Sequence, residues 1–172
     1  MSAIDAVYAR PVTPDNFSRY GKVYDLTGDT DAKATWTVGD GWRDGFTKTP
    51  LIDGRGHLGI TRGGSAPWHC SAMERHPLTE EAIFCLADPV ILAVAVASND
   101  DAPCRDDIEA FVIAPGQAVV MDRNVWHDAC RGVSGPAPYY WMAVCGIGES
   151  PWVPVSGGSV NVAAAPCTGS TA

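Results

Sequence analysis

The feature that most constrains this chain is a two-residue alternation that runs into a proline. From Trp68 to His76, the residues Trp68, Cys70, Ala72, Glu74 and His76 alternate with His69, Ser71, Met73 and Arg75. Alternate residues of a strand share a face, so one face reads Trp, Cys, Ala and ends in a carboxylate and an imidazole. Pro77 has no N–H to give a sheet ladder, and the strand is expected to stop there. An apolar face that turns ionisable at its end suits the inside of a β-barrel near its mouth. Glu81 has an odd offset from His76 and would point outward on one continuous strand. A turn over 77–80 removes that objection and brings Glu81 in with the next strand, 82–86.

A second stretch answers the first. Ala114-Pro115-Gly116 makes a turn, 118–121 is a short apolar strand, Asp122-Arg123-Asn124 turns again, and Val125-Trp126-His127 opens a strand carrying an imidazole. That layout resembles the second motif of the cupin barrels. Their first motif reads His-x-His, four residues, Glu. Here the same spacing reads Glu74-x-His76, four residues, Glu81. Alone, Glu74 and His76 read more simply as a solvated carboxylate and a surface imidazole. Joined by Glu81 and His127, they make a ligand set for a divalent first-row metal such as Ni, Mn, Fe or Zn.

With these residues in view, Glu-Arg-His-Pro-Leu at 74–78, Ala-Phe-Val-Ile at 110–113 and Arg-Asn-Val-Trp-His at 123–127 resemble the ureidoglycolate lyase family of cupin-fold enzymes in allantoin catabolism. The resemblance covers roughly residues 58–131. It implies a carbon–nitrogen lyase that releases urea and glyoxylate from ureidoglycolate. It also implies a divalent metal on Glu74, His76, Glu81 and His127 and a homodimer. Collapse of such a substrate needs a carboxylate or imidazole as general base, and a carboxylate, Glu74 or Glu81, is the first candidate. Arg62 stands where the family places an arginine, on a strand leading into the first motif. A planar guanidinium there suits a substrate carboxylate, which it grips with two parallel hydrogen bonds. Two positions depart from the family pattern. Glu81 replaces the commoner Gln, and Val144-Cys145-Gly146 stands where the last barrel strand usually ends in Asp-Arg. A metal-dependent cupin acting on another small hydroxy or amino acid is therefore the alternative. A non-catalytic sensor and an iron dioxygenase stand behind it.

The rest of the chain fits one β domain over 1–155 with a Gly/Ser/Ala-rich tail over 156–172. Thr13-Pro14-Asp15 reads as a capped helix start, and Gly21 as its stop about two turns later. Residues 27–50 read as irregular strands and loops. The run 90–96 is too continuously apolar for a half-exposed strand and is expected to be buried on both faces. Short strands at 22–26, 57–62, 82–86, 108–114, 118–121, 125–129 and 139–147 complete a cupin-like jelly roll, mostly β, with at most one or two short helices. The tail packs on the barrel or on a partner chain.

The formal net charge of −8 argues against nucleic acid and anionic membrane as partners. It also requires local positive charge for a small carboxylate substrate. No apolar run is long enough to span a membrane, and the first ten residues lack a basic region followed by an apolar one. Six cysteines without Cys-x-x-Cys spacing read as reduced thiols. Cys85 and Cys145 are expected to be packing residues within strands. Together these features predict a cytoplasmic protein.

Overall fold

The computed structural model describes residues 6–166. In chain order the strands are β1 (Ala6–Pro11), β2 (Gly21–Asp25), β3 (Ala34–Gly39), β4 (Trp42–Thr47), β5 (His57–Arg62), β6 (Trp68–Cys70), β7 (Ala72–Met73) and β8 (Glu81–Phe84). Then follow β9 (Val90–Ala95), β10 (Glu109–Ile113), β11 (Gln117–Met121), β12 (Trp126–His127), β13 (Arg131–Gly132), β14 (Pro138–Ala143), β15 (Val153–Pro154) and β16 (Val160–Ala164). One helical turn, α1 (Pro14–Phe17), lies between β1 and β2.

Twelve of the strands make two facing sheets, and β3-β4 and β7-β15 form two-stranded pairs beside them. One runs β12-β9-β10-β1-β16-β6 with β13 also on β9, and the other runs β2-β11-β8-β14-β5. β9 shows why they close on each other. Val90, Leu92 and Val94 enter the core between the sheets with Phe111, Ile83 and Val119. Ile91, Ala93 and Ala95 enter a second cluster on the opposite side with Met73, Trp126 and Val162. All six residues of β9 are buried, as a continuously apolar strand requires. Each large aliphatic side chain so placed contributes roughly 1.5–3 kcal/mol relative to exposure. The result is a curled two-sheet jelly roll of the cupin type.

Local signals govern the ends of elements. Thr13 caps α1, with Asn16 N donating to its hydroxyl at 3.2 Å. The helix is one turn long, shorter than the two turns expected. Phe17 and Tyr20 are both buried against Phe111, with ring centroids 5.3 and 5.7 Å away. Gly21 does not stop a helix. It opens β2 at φ 146, where a Cβ would lie 1.9 Å from the Val120 carbonyl oxygen. Residues 34–47, expected to be irregular, form a regular antiparallel hairpin of β3 and β4.

The long strand expected from Trp68 to His76 is broken at Ser71. β6 pairs with β16, whereas β7 pairs with β15, so the chain changes partner. The change of partner shifts the alternation by one residue. Cys70 and Met73, three apart, share the second cluster with Trp68, while Glu74 and His76 face the other way into a pocket. The aromatic start and the ionisable end of this stretch are thus on different faces. The tail contributes β16, laid parallel to β1 and antiparallel to β6. Of the two places open to it from sequence, it takes the barrel. Cys167 and the remaining tail lie outside the described residues.

Candidate active site

The two stretches singled out from sequence are joined by backbone. Glu74 N donates to the His127 carbonyl and His127 N to the Glu74 carbonyl, each at 2.9 Å. His127 is fixed on its other side by pairing with Val94 of β9. Asn124 N donates to the His76 carbonyl at 3.1 Å. Asn124 takes a positive φ of 67, which an Asn tolerates in a tight turn. Glu81 opens β8 between Met121 and Ala143, so the turn at 77–80 does deliver it inward. Residues distant in sequence therefore meet because the Glu74–His127 bridge and the start of β8 both open onto one pocket.

The four side chains converge. Glu81 Oε2 lies 3.0 Å from His76 Nε2 and 3.1 Å from His127 Nε2, and Glu74 Oε1 lies 3.7 Å from His127 Nε2. Ligand atoms of Glu74, His76 and His127 all stand within 4.8 Å of one another. Glu81 Oε2 is buried and meets no well-aligned hydrogen-bond donor, although two ring nitrogens stand within 3.1 Å of it. Two donors at right angles around an ion ~2.1 Å away stand ~3.0 Å apart. The residues fit a divalent first-row metal, and an oxygen without a proton donor is the atom such an ion would satisfy.

Electrostatics separates the two glutamates. Burial opposes the charge of Glu81, but both imidazoles overcome it and hold the carboxyl down to about 2. Glu74 moves the other way, raised chiefly by burial, with the imidazoles only partly offsetting it. Burial disfavours the charge of His127, yet the neighbouring Glu81 and Glu74 raise its pKa. His127 Nδ1 lies 3.3 Å from the Val125 carbonyl, an acceptor that fixes the proton there and leaves Nε2 free to ligate.

These groups line one end of a cavity of about 410 Å³. Its other walls come from Thr61 of β5, Ile83 of β8, Tyr139 and Trp141 of β14, and the segment 144–148 with Ser150. Sequence reasoning missed Tyr139, Trp141 and Ser150. The two aromatics alternate along β14, but which alternate set faces the pocket is decided by its register on β8 and β5. Arg62 is not among the lining residues. It is exposed on β5, on the face opposite Thr61, so alternation turns its guanidinium away from the cavity. Among the described residues lining the cavity there is no Lys or Arg, while Asp128 adds a third carboxylate. Cys145, expected inside a strand, is exposed at the rim because β14 ends at Ala143. Arg75 lies over the Trp126 ring at 4.3 Å and donates to the Ser98 carbonyl, behind the site. His69 and His57 are exposed.

A curled two-sheet jelly roll with histidines and carboxylates gathered at one end of its cavity defines a cupin-type protein with a metal-competent centre. An RmlC chain from Streptococcus suis, solved with dTDP-D-xylose, aligns over 84% of this chain and 72% of that one, at TM-score 0.41 and 11% identity. Residues 4–151 match the family model described as ureidoglycolate lyase, and the chain belongs to that family. Two relatives named ureidoglycolate lyase are similar over most of their length. The protein of Rhodobacter capsulatus is 30% identical over 79% of this chain and 84% of its own. That of Mesorhizobium japonicum is 26% identical over 77% and 82%.

Proposed function

We propose that this protein is a metal-dependent carbon–nitrogen lyase that releases urea and glyoxylate from ureidoglycolate. The observation that carries the reading is the convergence of Glu74, His76, Glu81 and His127 at one end of a cavity in a chain of this family. In this reading His76, His127 and Glu81 would hold a divalent ion, with Glu74 beside it, either as a further ligand or free to move a proton. When bound, the ion supplies positive charge that favours loss of a hydroxyl proton and attracts a carboxylate. Its identity is one of Ni, Mn, Zn or Fe.

The substrate is a carbinolamide, with hydroxyl, carboxylate and urea nitrogen on one carbon. Its collapse needs the hydroxyl proton removed, a C=O bond formed, and the C–N electron pair accepted by nitrogen together with a proton. Glu74 takes that hydroxyl proton and returns it to the departing nitrogen. Glu74 is the carboxylate suited to that task because its Oε1 stands furthest from its imidazole neighbour, 3.7 Å from His127 Nε2, whereas Glu81 Oε2 lies 3.0 and 3.1 Å from His76 and His127 Nε2 and serves as a ligand. Tyr139, Trp141 and Ile83 form the walls that limit water around the reacting carbon.

A second reading keeps the ion and changes the substrate to another small hydroxy or amino acid. It is favoured by the lack of a Lys or Arg among the described lining residues, which leaves a substrate carboxylate only the ion as cation. A homodimer and a cytoplasmic setting complete the proposal. Leu58 and Ile60, exposed on the edge strand β5, support the dimer, and light scattering at micromolar concentration tests it. No helix among the described residues is long and apolar enough to cross a membrane.

The deciding experiment is incubation of metal-loaded protein with racemic ureidoglycolate, following urea and glyoxylate together. Equal release supports the first reading. Ammonia in place of urea makes the protein an amidohydrolase, and no turnover by metal-bearing protein leaves the second reading.

A further inference from the structure

His76 is the one ligand of the cluster whose outer nitrogen meets a side chain rather than the main chain. Its Nδ1 lies 2.7 Å from the Ser150 hydroxyl oxygen, while its Nε2 faces Glu81 Oε2 at 3.0 Å. A neutral imidazole carries one proton, so Nε2 offers a lone pair to an ion only when that proton sits on Nδ1. For His127 the Val125 carbonyl enforces this, since a carbonyl can only accept. A hydroxyl can donate or accept, and at His76 the choice must be made by the pair itself.

We infer that Ser150 is a positioning residue: it accepts from His76 Nδ1–H, holds Nε2 toward the ligand cluster, and keeps its own O–H free to donate into the cavity. The inference rests on the metal reading above. The proton count follows directly. Once Nδ1–H occupies a lone pair of Ser150 Oγ, the hydroxyl hydrogen has no role toward the ring, and Ser150 itself lines the cavity. A hydroxyl donor there is useful to an anionic or carbonyl-bearing substrate, in a cavity whose described lining offers no Lys or Arg.

The placement also ties a wall to a ligand. The segment 144–150 begins with Val144 N donating to Thr79 Oγ1 and Cys145 N to His57 Nδ1, both at 3.1 Å. It then passes Gly146 at φ 77 and Gly148 at φ 102, left-handed positions open to glycine. Ser150 returns it to His76. The wall and the imidazole are therefore set together, which makes Ser150 a point where substrate space and ligand geometry are coupled.

The test uses metal-free full-length protein titrated with Zn(II) against a competing chelator. Ser150→Ala should weaken Zn affinity 10- to 100-fold, the usual effect of removing an outer hydrogen-bond partner of a ligating histidine. Ser150→Thr, which keeps the hydroxyl, should recover most of it. Nitrogen-15 spectra of the Zn-loaded wild type should show His76 protonated on Nδ1. Thermal midpoint and far-ultraviolet circular dichroism should be unchanged in both variants, so a merely structural role would not move the readouts that change. Equal Zn affinity in wild type and Ser150→Ala overturns the inference alone. So does failure of Ser150→Thr to recover affinity, or a wild-type His76 that carries its proton on Nε2, a result that needs no variant. Wild-type protein that takes up neither Zn nor Ni overturns the metal reading, and this inference with it.

Discussion

Trp68→Phe isolates one contact that holds the site's edge to the barrel. Trp68 Nε1 donates to Asp128 Oδ2 at 2.8 Å, across 60 positions of sequence, and Asp128 is only 6% exposed. The other carboxylate oxygen accepts from Ala129 N at 2.7 Å and lies 3.9 Å from Arg131 Nη2. The Arg131 guanidinium in turn sits over the Trp68 ring at 5.5 Å and is held by the Ala129 carbonyl at 2.7 Å. Phenylalanine keeps a ring under the guanidinium and removes the N–H, leaving a buried carboxylate one donor short. A hydrogen bond to a charged group contributes about 1.5–3 kcal/mol. At ~2–4 °C per kcal/mol for a chain of this size, the melting temperature should fall by roughly 3–12 °C. The smaller ring also loses contact area, so the contact itself is read from a double-mutant cycle of Trp68→Phe with Asp128→Ala in urea. The expected coupling is about 1.5–3 kcal/mol. Zn uptake by Trp68→Phe should be intact, because His127 is placed by the main-chain ladders to Val94 and Glu74. A coupling below about 0.5 kcal/mol, no more than an exposed pair gives, would refute the reasoning.

His127→Ala should lose bound metal while keeping a β-type circular dichroism spectrum; stoichiometric Zn in that variant removes His127 from the ligand set. Glu74→Gln should keep the ion, since an amide oxygen can still ligate, but lower kcat by ~10²–10⁴-fold because it cannot carry a proton, as steady-state kinetics on the confirmed substrate will show. Arg62→Ala should leave kcat/KM within about twofold, far from the loss of a charged substrate contact, because the side chain points away from the cavity. Asp31 accepts from Asp25 N and Lys33 N, each at 2.8 Å, and pairs with Lys33 Nζ at 2.9 Å. Burial opposes its charge, yet these donors hold its pKa below the ordinary value. Because the folded pKa is depressed, the stabilisation is present above the unfolded pKa and is lost as pH falls through the folded one. Asp31→Asn should therefore flatten the acid limb of a stability-against-pH curve; an unchanged limb would count against those hydrogen bonds.

Local patterning by itself determined much of this protein. The run at 90–95 had to be buried on both faces, since no exposed face tolerates six consecutive apolar residues, and it is. Pro77 and the Pro115-Gly116 turn had to punctuate strands. That Glu74, His76 and Glu81 gather was legible because residues close in sequence on a strand and turn have few ways to diverge. What local pattern could not decide was which partner each strand takes. The change of partner at Ser71 reverses the face of everything before it, so Trp68 and Cys70 share a cluster with Met73 rather than a wall with Glu74. A one-residue shift moves every side chain to the other face, and only pairing fixes the register. The same holds for Arg62, which β5 turns outward in its register with β14, and for Tyr139 and Trp141, which β14 turns inward. Ser150 meets His76 across 74 positions of sequence. No local signal encodes that contact, because it exists only once the sheets have closed and returned the chain to the cavity's edge.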